Sequence, residues 1–361
     1  MSKQQVSFFW FRRDLRLEDN VGLFHALKSK YTVIPLFIFD DAILDSLPYN
    51  DPRVGFIYEN LSKINTQLLK IESALLVKKG KTLAVWELLL TEFDIKEVFF
   101  NKDYEPYAIK RDSAICELLE TNNAIPFSFK DQVIFEEKEI TKADGLPYTV
   151  YTPFKNKWLE KYKSMAPVLE YDATDVFSNF HKCDFVFPSL EQIGFEKSPI
   201  KVKPHNLKFI ANYQDIRDFP ALDQTSYLSP HLRFGTVSIR KLVNWAFHKN
   251  DVFLSELIWR EFFMQILFSF PKVVTQNFKT AYDGIKWRNN EADFQRWCSG
   301  TTGYPMVDAG MRQLNETGYM HNRVRMVAAS FLCKHLLIQW QWGEAYFAEK
   351  LLDYDLSANV G

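Results

Sequence analysis

The sequence predicts an N-terminal α/β domain with a parallel, Rossmann-like sheet and an all-α C-terminal domain. The chain has 361 residues, which exceeds the roughly 250–300 residues at which a single hydrophobic core usually divides. Short apolar runs alternate with helical stretches over residues 1–130. Beyond about Pro204 the apolar residues recur only at helical spacing. We therefore expect one domain over 1–130, a linker over 131–200 and a second domain over 201–361.

The N-terminal strands are short apolar runs, and helices separate most of them. We predict strands at Val6–Phe11, Thr32–Phe39, Ala74–Val77, Glu97–Phe100 and Pro126–Phe129. Helices are predicted at Arg53–Lys70, Leu83–Phe93 and Tyr107–Glu120. Because strands that alternate with helices form parallel sheets, we expect a sheet that is covered by helices on both faces.

This half carries no nucleotide-binding fingerprint. Lys79-Gly80-Lys81-Thr82 resembles the end of a Walker motif, but Leu75 occupies the position that requires an earlier glycine. The pattern G-x-G-x-x-G is also missing from the sequence. We interpret Gly80 as a strand-to-helix turn.

The stretch 131–200 shows weak periodicity and is punctuated by prolines, so we expect an irregular linker on the surface. Helices dominate the rest of the chain. They are predicted at Val237–His248, Ser255–Phe270, Ala292–Ser299, Tyr304–Thr317, Asn322–Gln339 and Gly343–Leu352. Most of the nine tryptophans also fall here, namely Trp245, Trp259, Trp287, Trp297, Trp340 and Trp342. The second domain is therefore predicted to be helical and rich in indoles.

The composition excludes several classes of protein. With 32 Phe, 16 Tyr and 9 Trp, the chain is too aromatic for a disordered protein. No run approaches the ~20 apolar residues that span a bilayer, and Val6–Phe11 is too short for the core of a signal peptide. We therefore expect a cytoplasmic protein without a membrane partner. The cysteines lack the spacing of disulfide frameworks or metal sites, so we expect reduced thiols and no metal: Cys116, Cys183, Cys298 and Cys333.

The charge differs between the two halves of the chain. Residues 201–361 contain 19 Lys and Arg against 15 Asp and Glu, a net charge of +4, whereas residues 1–200 contain 25 against 30, a net charge of −5. This mild split permits an anionic partner for the second half but does not require one.

Two stretches could bind a flat or anionic ligand. The hydroxyl groups of Thr225-Ser226-Tyr227-Leu228-Ser229-Pro230 precede an apolar helix and suit a phosphate, although spacing alone favours a simple N-cap turn. Glu256, Trp259, Arg260 and Phe263 share one face of a helix for which we expect Ser255 to be the N-cap. Such a face stacks on a flat ligand, or it is a half-buried indole beside an ion pair; the spacing favours neither.

A third cluster lies at Tyr319–Met326. Asn322 and Met326 are four residues apart and fall on one face of the predicted helix. Arg325 points in an adjacent direction, and the nearest carboxylates in sequence that it could meet are Asp353 and Asp355. A single arginine among apolar residues is usually buried and paired.

Six segments, in order along the whole chain, together resemble the DNA photolyase/cryptochrome family. They are Trp10–Arg16 with Asp19-Asn20 after it, Leu228–Gly235, Glu256–Phe262, Thr302–Pro305, Asp308–Arg312 and His321–Met326. The resemblance is nearest to class I photolyases that repair cyclobutane pyrimidine dimers. It implies that the helical domain is an FAD-binding domain. It also implies that the partner is UV-damaged DNA, and we expect a monomer.

The resemblance further implies the residues that hold FAD. Tyr213 and the stretch Thr225, Ser226, Tyr227, Leu228 and Ser229 would bind its phosphates and ribityl chain. The walls of the site would be Phe253, Glu256, Arg260 and Arg325. Asp353 would pair with Arg325, while Tyr354 and Asp355 would lie near the cofactor and Asn359 would face flavin N5.

The implied reaction is light-driven repair of a dimer that is flipped out of the duplex. Trp259 would stack on the dimer and Glu256 would hydrogen-bond a base carbonyl, stabilising the charge that develops there. Asn322 and Met326 would complete the pocket, and Arg217 and Arg323 would bind phosphates. Members that repair (6-4) lesions have His at the position of Asn322, plant-type cryptochromes usually lack a Met at the position of Met326, and cryptochromes often replace Asn359, so these three residues favour dimer repair. The alternatives that stay open are a cryptochrome-like blue-light receptor and an inactive remnant that binds flavin or DNA.

Two features depart from the family pattern. Trp287 and Trp340 match two electron-relay tryptophans, but the third would follow Gly361, so we expect a C-terminally truncated flavin domain. Tyr104-Glu105-Pro106-Tyr107-Ala108 lacks the Asn-Glu pair of folate-binding members. A folate, a deazaflavin or an empty antenna site therefore all stay open.

Overall fold

The computed structural model describes residues 3–360, which form two compact units. The first contains residues 3–140, 157–198 and 234–245, and the second contains 141–156, 199–233 and 246–360. Each unit therefore uses three separate stretches of the chain. The division into a domain over 1–130, a linker over 131–200 and a domain over 201–361 stays a prediction.

The first unit contains a five-stranded sheet in which every neighbouring pair is parallel. The strands are β1 (Gln5–Phe11), β2 (Val33–Asp40), β3 (Leu76–Gly80), β4 (Asp94–Asn101) and β5 (Ile125–Phe129). Their order across the sheet is β3-β2-β1-β4-β5, and Phe8 of β1 lies opposite Ile34 and Val98. The order reverses at β1, as in doubly wound folds. The predicted fold class of this half is confirmed.

Helices cover both faces of this sheet. They are α1 (Val21–Leu27), α2 (Asp41–Leu44), α3 (Pro52–Leu69), α4 (Thr82–Glu92) and α5 (Pro106–Thr121). Because side chains alternate along a strand, Phe9 of β1 belongs to the core that contains Leu23 of α1, whereas Phe8 belongs to the core that contains Trp86 of α4. Gly80 ends β3 with a φ of 149° directly before α4, which agrees with its interpretation as a turn. The short helices α1 and α2 are missing from the prediction, because stretches of seven and four residues show too little periodicity.

A network of buried charged side chains joins three parts of the chain within the first unit, near residues 16–19, 131 and 240. The Arg240 Nε donates to Asp19 at 3.0 Å, and Asp131 accepts from both Arg16 and Arg240 at 2.8 Å. Burial alone would raise the pKa of the Asp131 carboxyl, but the two guanidiniums more than offset this and hold it below its ordinary value. Gly235 allows the close approach next to this network, since a Cβ there would lie 2.1 Å from the Arg13 carbonyl oxygen.

The stretch 131–200 contains helix α6 (Tyr151–Met165), so the expectation of irregular structure is wrong here. Phe154, Trp158 and Tyr162 recur every four residues and are almost completely buried. Pro153 lies in the first turn of α6, where a missing N–H costs no helical hydrogen bond. The helix was not predicted because prolines precede and follow these three aromatic residues.

The remaining helices follow without any strand between residues 199 and 360. They are α7 (Tyr213–Ile216), α8 (Leu228–Phe234), α9 (Ile239–Phe247), α10 (Asp251–Ser269), α11 (Glu291–Ser299), α12 (Pro305–Thr317), α13 (Asn322–Lys334), α14 (Trp340–Lys350) and α15 (Leu356–Val360). The core of the second unit surrounds Trp297, whose Nε1 donates to the Ala328 carbonyl at 3.0 Å. The prediction of a helical second half is confirmed.

Two helix ends differ from the prediction by four or more residues. Helix α10 begins four residues before Ser255, because the Asn250 side chain accepts from the backbone N–H groups of Val252 and Phe253 at 3.0 and 2.9 Å. Asn250 and not Ser255 is therefore the N-cap. Helix α13 ends at Lys334, and Leu337 adopts a φ of 54° in the turn before α14. Among residues 3–360, no helix is long and apolar enough to span a membrane.

Candidate functional site

Helix α10 presents an acid and an indole on one face in the second unit. Glu256 and Trp259 are three residues apart, and both are half-buried. Arg260 follows on the same side and approaches the Leu232 carbonyl at 3.5 Å. The predicted grouping of these side chains on one helix face agrees with the structure.

A chain of charged contacts joins Glu256 to helix α13. Arg217 donates to Glu256 Oε1 at 2.7 Å and lies 3.7 Å from Asp218. Arg323 donates to Asp218 at 2.6 Å and approaches the Met326 sulfur at 4.0 Å. We call the four charged residues Arg217, Asp218, Glu256 and Arg323, together with Met326, the charged cluster. Three separate segments therefore bring together four of the residues that the sequence singles out.

Asp218 is the member of the charged cluster that the sequence reasoning missed. It follows Arg217 directly, so the pair Arg217-Asp218 reads in sequence as an exposed loop of mixed charge. Only the fold brings Arg323, more than a hundred residues later, to its carboxylate. No local spacing predicts that contact.

Two aromatic residues lie beside the charged cluster. The rings of Tyr213 and Phe253 meet edge to face, with their centroids 5.4 Å apart. The Arg217 guanidinium lies 5.4 Å from the centre of the Tyr213 ring. Burial, followed by the negative charge of Glu256, raises the pKa of Tyr213 to about 12. The phenol is therefore neutral at physiological pH and offers a hydrogen-bond donor.

Trp259 stacks on a residue from helix α6 that the sequence reasoning did not select. The rings of Tyr151 and Trp259 are parallel within 8°, and their centroids are 3.5 Å apart. The signal that could have found Tyr151 is the aromatic stripe of α6, which it begins. The prolines nearby led to an irregular interpretation of the stripe.

Asn322 and Met326 occupy exposed positions one turn apart on α13. The exposed fraction of Met326 is 55%, which is high for a side chain of this kind. His321 is the N-cap of the helix, because its Nδ1 accepts from the Arg323 backbone N–H at 3.2 Å. The first turns of α13 therefore carry the amide of Asn322, the guanidinium of Arg323 and the thioether of Met326.

Arg325 of the same helix pairs with Asp353, whose two carboxylate oxygens accept at 3.0 and 3.2 Å. This is one of the two partners that the sequence suggests. The Arg325 Nε is buried and has no hydrogen-bond partner among the residues that the structure describes. A buried donor without a partner is costly, so this atom fits an acceptor on a bound ligand.

The residues after α14 lie in the same unit. Tyr354 donates to Glu344 at 2.5 Å, and Asp355 approaches Arg233 at 3.6 Å. Asn359 lies on α15, which packs against α10. The fold thus places the C-terminal candidates Asp355 and Asn359 on a segment beside the helix that carries Glu256.

The hydroxyl-rich stretch 225–229 leads into α8, which begins at Leu228. Tyr227 has a φ of 51°, an uncommon backbone conformation for a residue other than glycine, and its hydroxyl group accepts from Lys203 Nζ at 2.8 Å. The Ser226 Oγ accepts weakly from the Leu228 N–H at 3.4 Å. Strained backbone beside hydroxyl groups and a lysine is typical of a ligand-binding turn.

The two candidate relay tryptophans lie in adjoining segments. The Arg288 N–H, next to Trp287, donates to the Leu337 carbonyl at 2.8 Å, three residues before Trp340. The Trp340 Nε1 donates to Asn277 at 3.0 Å. Both indoles are half-buried.

The candidate antenna segment lies at the carboxyl ends of the strands in the first unit. Tyr107 donates to Asp40, the last residue of β2, at 2.5 Å, and burial raises its pKa to about 12. The guanidiniums of Arg12 and Arg111 each lie 4.9 Å from the Trp10 ring centre. This is the edge at which parallel sheets bind ligands. No group of three His, Cys, Asp or Glu that could hold a metal occurs between residues 3 and 360.

Comparisons with known proteins cover both units. Residues 7–174 match the family model described as DNA photolyase, and residues 253–361 match the one described as FAD binding domain of DNA photolyase. A deoxyribodipyrimidine photo-lyase from Halobacterium salinarum is 35% identical over 99% of this chain and 81% of its own length.

Two solved structures are similar along the whole chain. The bacterial class III photolyase from Agrobacterium tumefaciens has a TM-score of 0.85 at 32% identity, covering 100% of this chain and 79% of the other. An archaeal photolyase from Sulfolobus tokodaii, which contains two FAD molecules, has a TM-score of 0.79 at 35% identity, covering 99% and 81%.

Proposed function

The chain belongs to the DNA photolyase family, and we propose that it uses light and FAD to repair cyclobutane pyrimidine dimers in UV-damaged DNA. One observation supports this most strongly. The structure groups Glu256, Trp259, Arg217, Arg323 and Met326 in one unit, although they come from distant parts of the chain. This set combines a surface that stacks on bases with groups that bind phosphates.

We assign the cofactor to the residues around Arg325. FAD, when bound, supplies the light-excited electron that opens the cyclobutane ring. Tyr213 and Phe253 would form an aromatic wall, and the stretch 225–229 would hold phosphate oxygens. The buried Nε of Arg325 supports this assignment, because it requires an acceptor that the described residues do not supply. Asp353 fixes the guanidinium, and Arg260, Tyr354, Asp355 and Asn359 complete the proposed lining.

The lesion would occupy the exposed side of α10 and α13. Flipping a damaged base costs less than flipping a paired one, and stacking on an aromatic ring contributes about 1–3 kcal/mol per base. We assign that stacking to Trp259. The bond from Arg217 fixes Glu256 Oε1, and we assign the second oxygen, Oε2, to the base edge. Asn322 and Met326 would close the pocket from α13.

Phosphates would be bound by the two arginines of the charged cluster. Arg323 is 42% exposed and bonded to a half-exposed carboxylate, so its pair with Asp218 contributes only about 0–1 kcal/mol. A phosphate can therefore replace Asp218 at little cost. Arg217 lies between Glu256 and Asp218 and would connect the phosphate contact to the lesion contact.

We propose the remaining roles on narrower grounds. The backbone bond between Arg288 and Leu337 supports Trp287 and Trp340 as electron-transfer residues that lie close together.

Four free cysteines suit a reducing compartment, which supports a cytoplasmic protein. We also propose that it acts as a monomer. The second chromophore, if one binds, would occupy the edge near Tyr107.

The first test combines an absorption spectrum with DNA binding in the dark. Purified protein incubated with FAD should show a flavin band and should bind a duplex with one pyrimidine dimer at least tenfold more tightly than the undamaged duplex. A protein that binds flavin but does not distinguish the two duplexes would support a photoreceptor. A protein that binds DNA but shows no flavin band after FAD is added would support the inactive remnant.

A further inference from the structure

We propose that Tyr151 is a positioning residue that holds the Trp259 indole in the orientation needed to stack on a flipped lesion. The inference rests on the proposed function and deepens it, since it names what determines the strength of lesion recognition at that site. Tyr151 lies in the short stretch 141–156, which belongs to the second unit although its neighbours in sequence do not.

The geometry between the two rings is that of a face-to-face stack. The centroids are 3.5 Å apart and the planes differ by 8°. The edge of the Tyr151 ring also meets Phe262 at 5.8 Å and 72°. Tyr151 therefore covers one face of the indole, and Phe263 also stacks on Trp259, with centroids 5.3 Å apart and planes 26° apart.

The hydroxyl group fixes the other end of Tyr151. Its oxygen lies 2.7 Å from the Ser255 carbonyl oxygen and 2.6 Å from the Ser255 hydroxyl oxygen. The phenol can donate to the carbonyl while it accepts from the hydroxyl. Ser255, Trp259 and Phe262 are spaced at i, i+4 and i+7, so Tyr151 lies along one stripe of α10.

This arrangement restricts the indole before DNA arrives. Ordering a flexible side chain on binding reduces affinity by several-fold, and a side chain that is already held avoids this loss. Trp259 is half-buried and also contacts Phe262 and Phe263, but its contact with Tyr151 is the closest of the three, with centroids 3.5 Å apart against 5.6 and 5.3 Å. Phosphate contacts do not involve Tyr151, so its effect should be confined to the damaged base.

The test measures dark dissociation constants for a duplex with one dimer and for the same duplex undamaged. Y151L removes the flat ring, and we expect the preference for damaged DNA to fall by about three- to tenfold, with the affinity for undamaged DNA and the FAD content unchanged. Y151F keeps the flat ring but loses both contacts to Ser255, so the preference should fall by less than it does in Y151L. In a W259A background, Y151L should have no further effect.

Three results would overturn the inference. They are an unchanged preference in Y151L, a stronger preference in Y151L, and an equal loss with and without Trp259. A stronger preference would mean that Tyr151 covers the face that the lesion needs. If Y151L does not fold, Y151M retains most of the side-chain volume without a flat ring and gives the same outcomes. If the wild type itself has no preference, the proposed function fails instead.

Discussion

At the scale of single residues, Asp218 has a special position in the candidate site. It binds Arg323 at 2.6 Å, and both side chains are about half exposed. A carboxylate in this place occupies the guanidinium that we assign to a phosphate. It therefore competes with DNA, and the competition is the same for damaged and undamaged strands because both carry phosphates.

We expect Asp218→Asn to raise the affinity for damaged and undamaged DNA alike, by about two- to fivefold at low salt, because the exposed ion pair it removes contributes at most about 1 kcal/mol. Fluorescence anisotropy with both duplexes measures this change.

Arg323→Gln is the matched control for Asp218→Asn, because it should weaken both complexes and reduce the salt dependence of binding by about one phosphate contact. A gain for the damaged duplex alone would show that Asp218 acts on the lesion and not on the phosphate.

At the scale of elements, helix α13 begins with a cap that depends on pH. The His321 Nδ1 must be unprotonated to accept from the Arg323 N–H. Burial, followed by the positive charge of Arg323, lowers the pKa of His321 below its ordinary value of 6.5, while Asp218 acts in the opposite direction. The folded protein therefore binds fewer protons than the unfolded chain in this range. The stabilisation that unprotonated His321 gives the folded protein is complete above about pH 6.5. It is lost as the pH falls through the lower pKa that His321 has in the folded state.

We expect His321→Asn to reduce the loss of stability between about pH 7.5 and about pH 5.5, because asparagine caps helices without titrating. Urea unfolding at the two pH values measures the difference. Part of the loss should persist, since burial also lowers the pKa values of His25 and His181. An identical loss in the variant and the wild type would show that His321 is protonated without harm to the cap.

Elements also show what could be predicted from the sequence. The five strands and α10 follow from continuous apolar runs, because burial on two faces leaves a strong local signal. Helix α6 was missed because prolines flank its aromatic stripe. The contacts of Asp218 and Tyr151 had no local signal, since each depends on a partner about a hundred residues away. Patterns within one element were therefore readable, whereas these two contacts between elements were not.

At the scale of the whole molecule, the first unit depends on charges from three chain segments. Arg240 contacts Asp19 and Asp131, and all three are almost completely buried. Burial, then the charge of Asp131, raises the pKa of the nearby Asp14 carboxyl. The negative charges in this region thus require the guanidiniums of Arg16 and Arg240.

We expect Arg240→Met to destabilise the first unit by about 3–5 kcal/mol, because it leaves buried carboxylates without their partner. Hydrogen exchange of the β1 and β4 amides measures the stability of this unit. Lys241→Ala is the matched control, since its pairs with Glu18 and Glu170 are exposed and should contribute less than about 1 kcal/mol. Equal effects of the two variants would mean that the network is not a stabilising feature.

The central claim concerns the reaction, and a repair assay tests it most directly. The purified chain, loaded with FAD in its reduced form, is mixed with an oligonucleotide that carries one cyclobutane thymine dimer, and half of the sample is kept in the dark. We predict that the dimer is converted to two thymines in blue light and stays intact in the dark, and that Trp259→Ala slows repair most at low DNA concentration. A protein that holds FAD and binds the damaged strand, but leaves the dimer intact in light, would contradict the account.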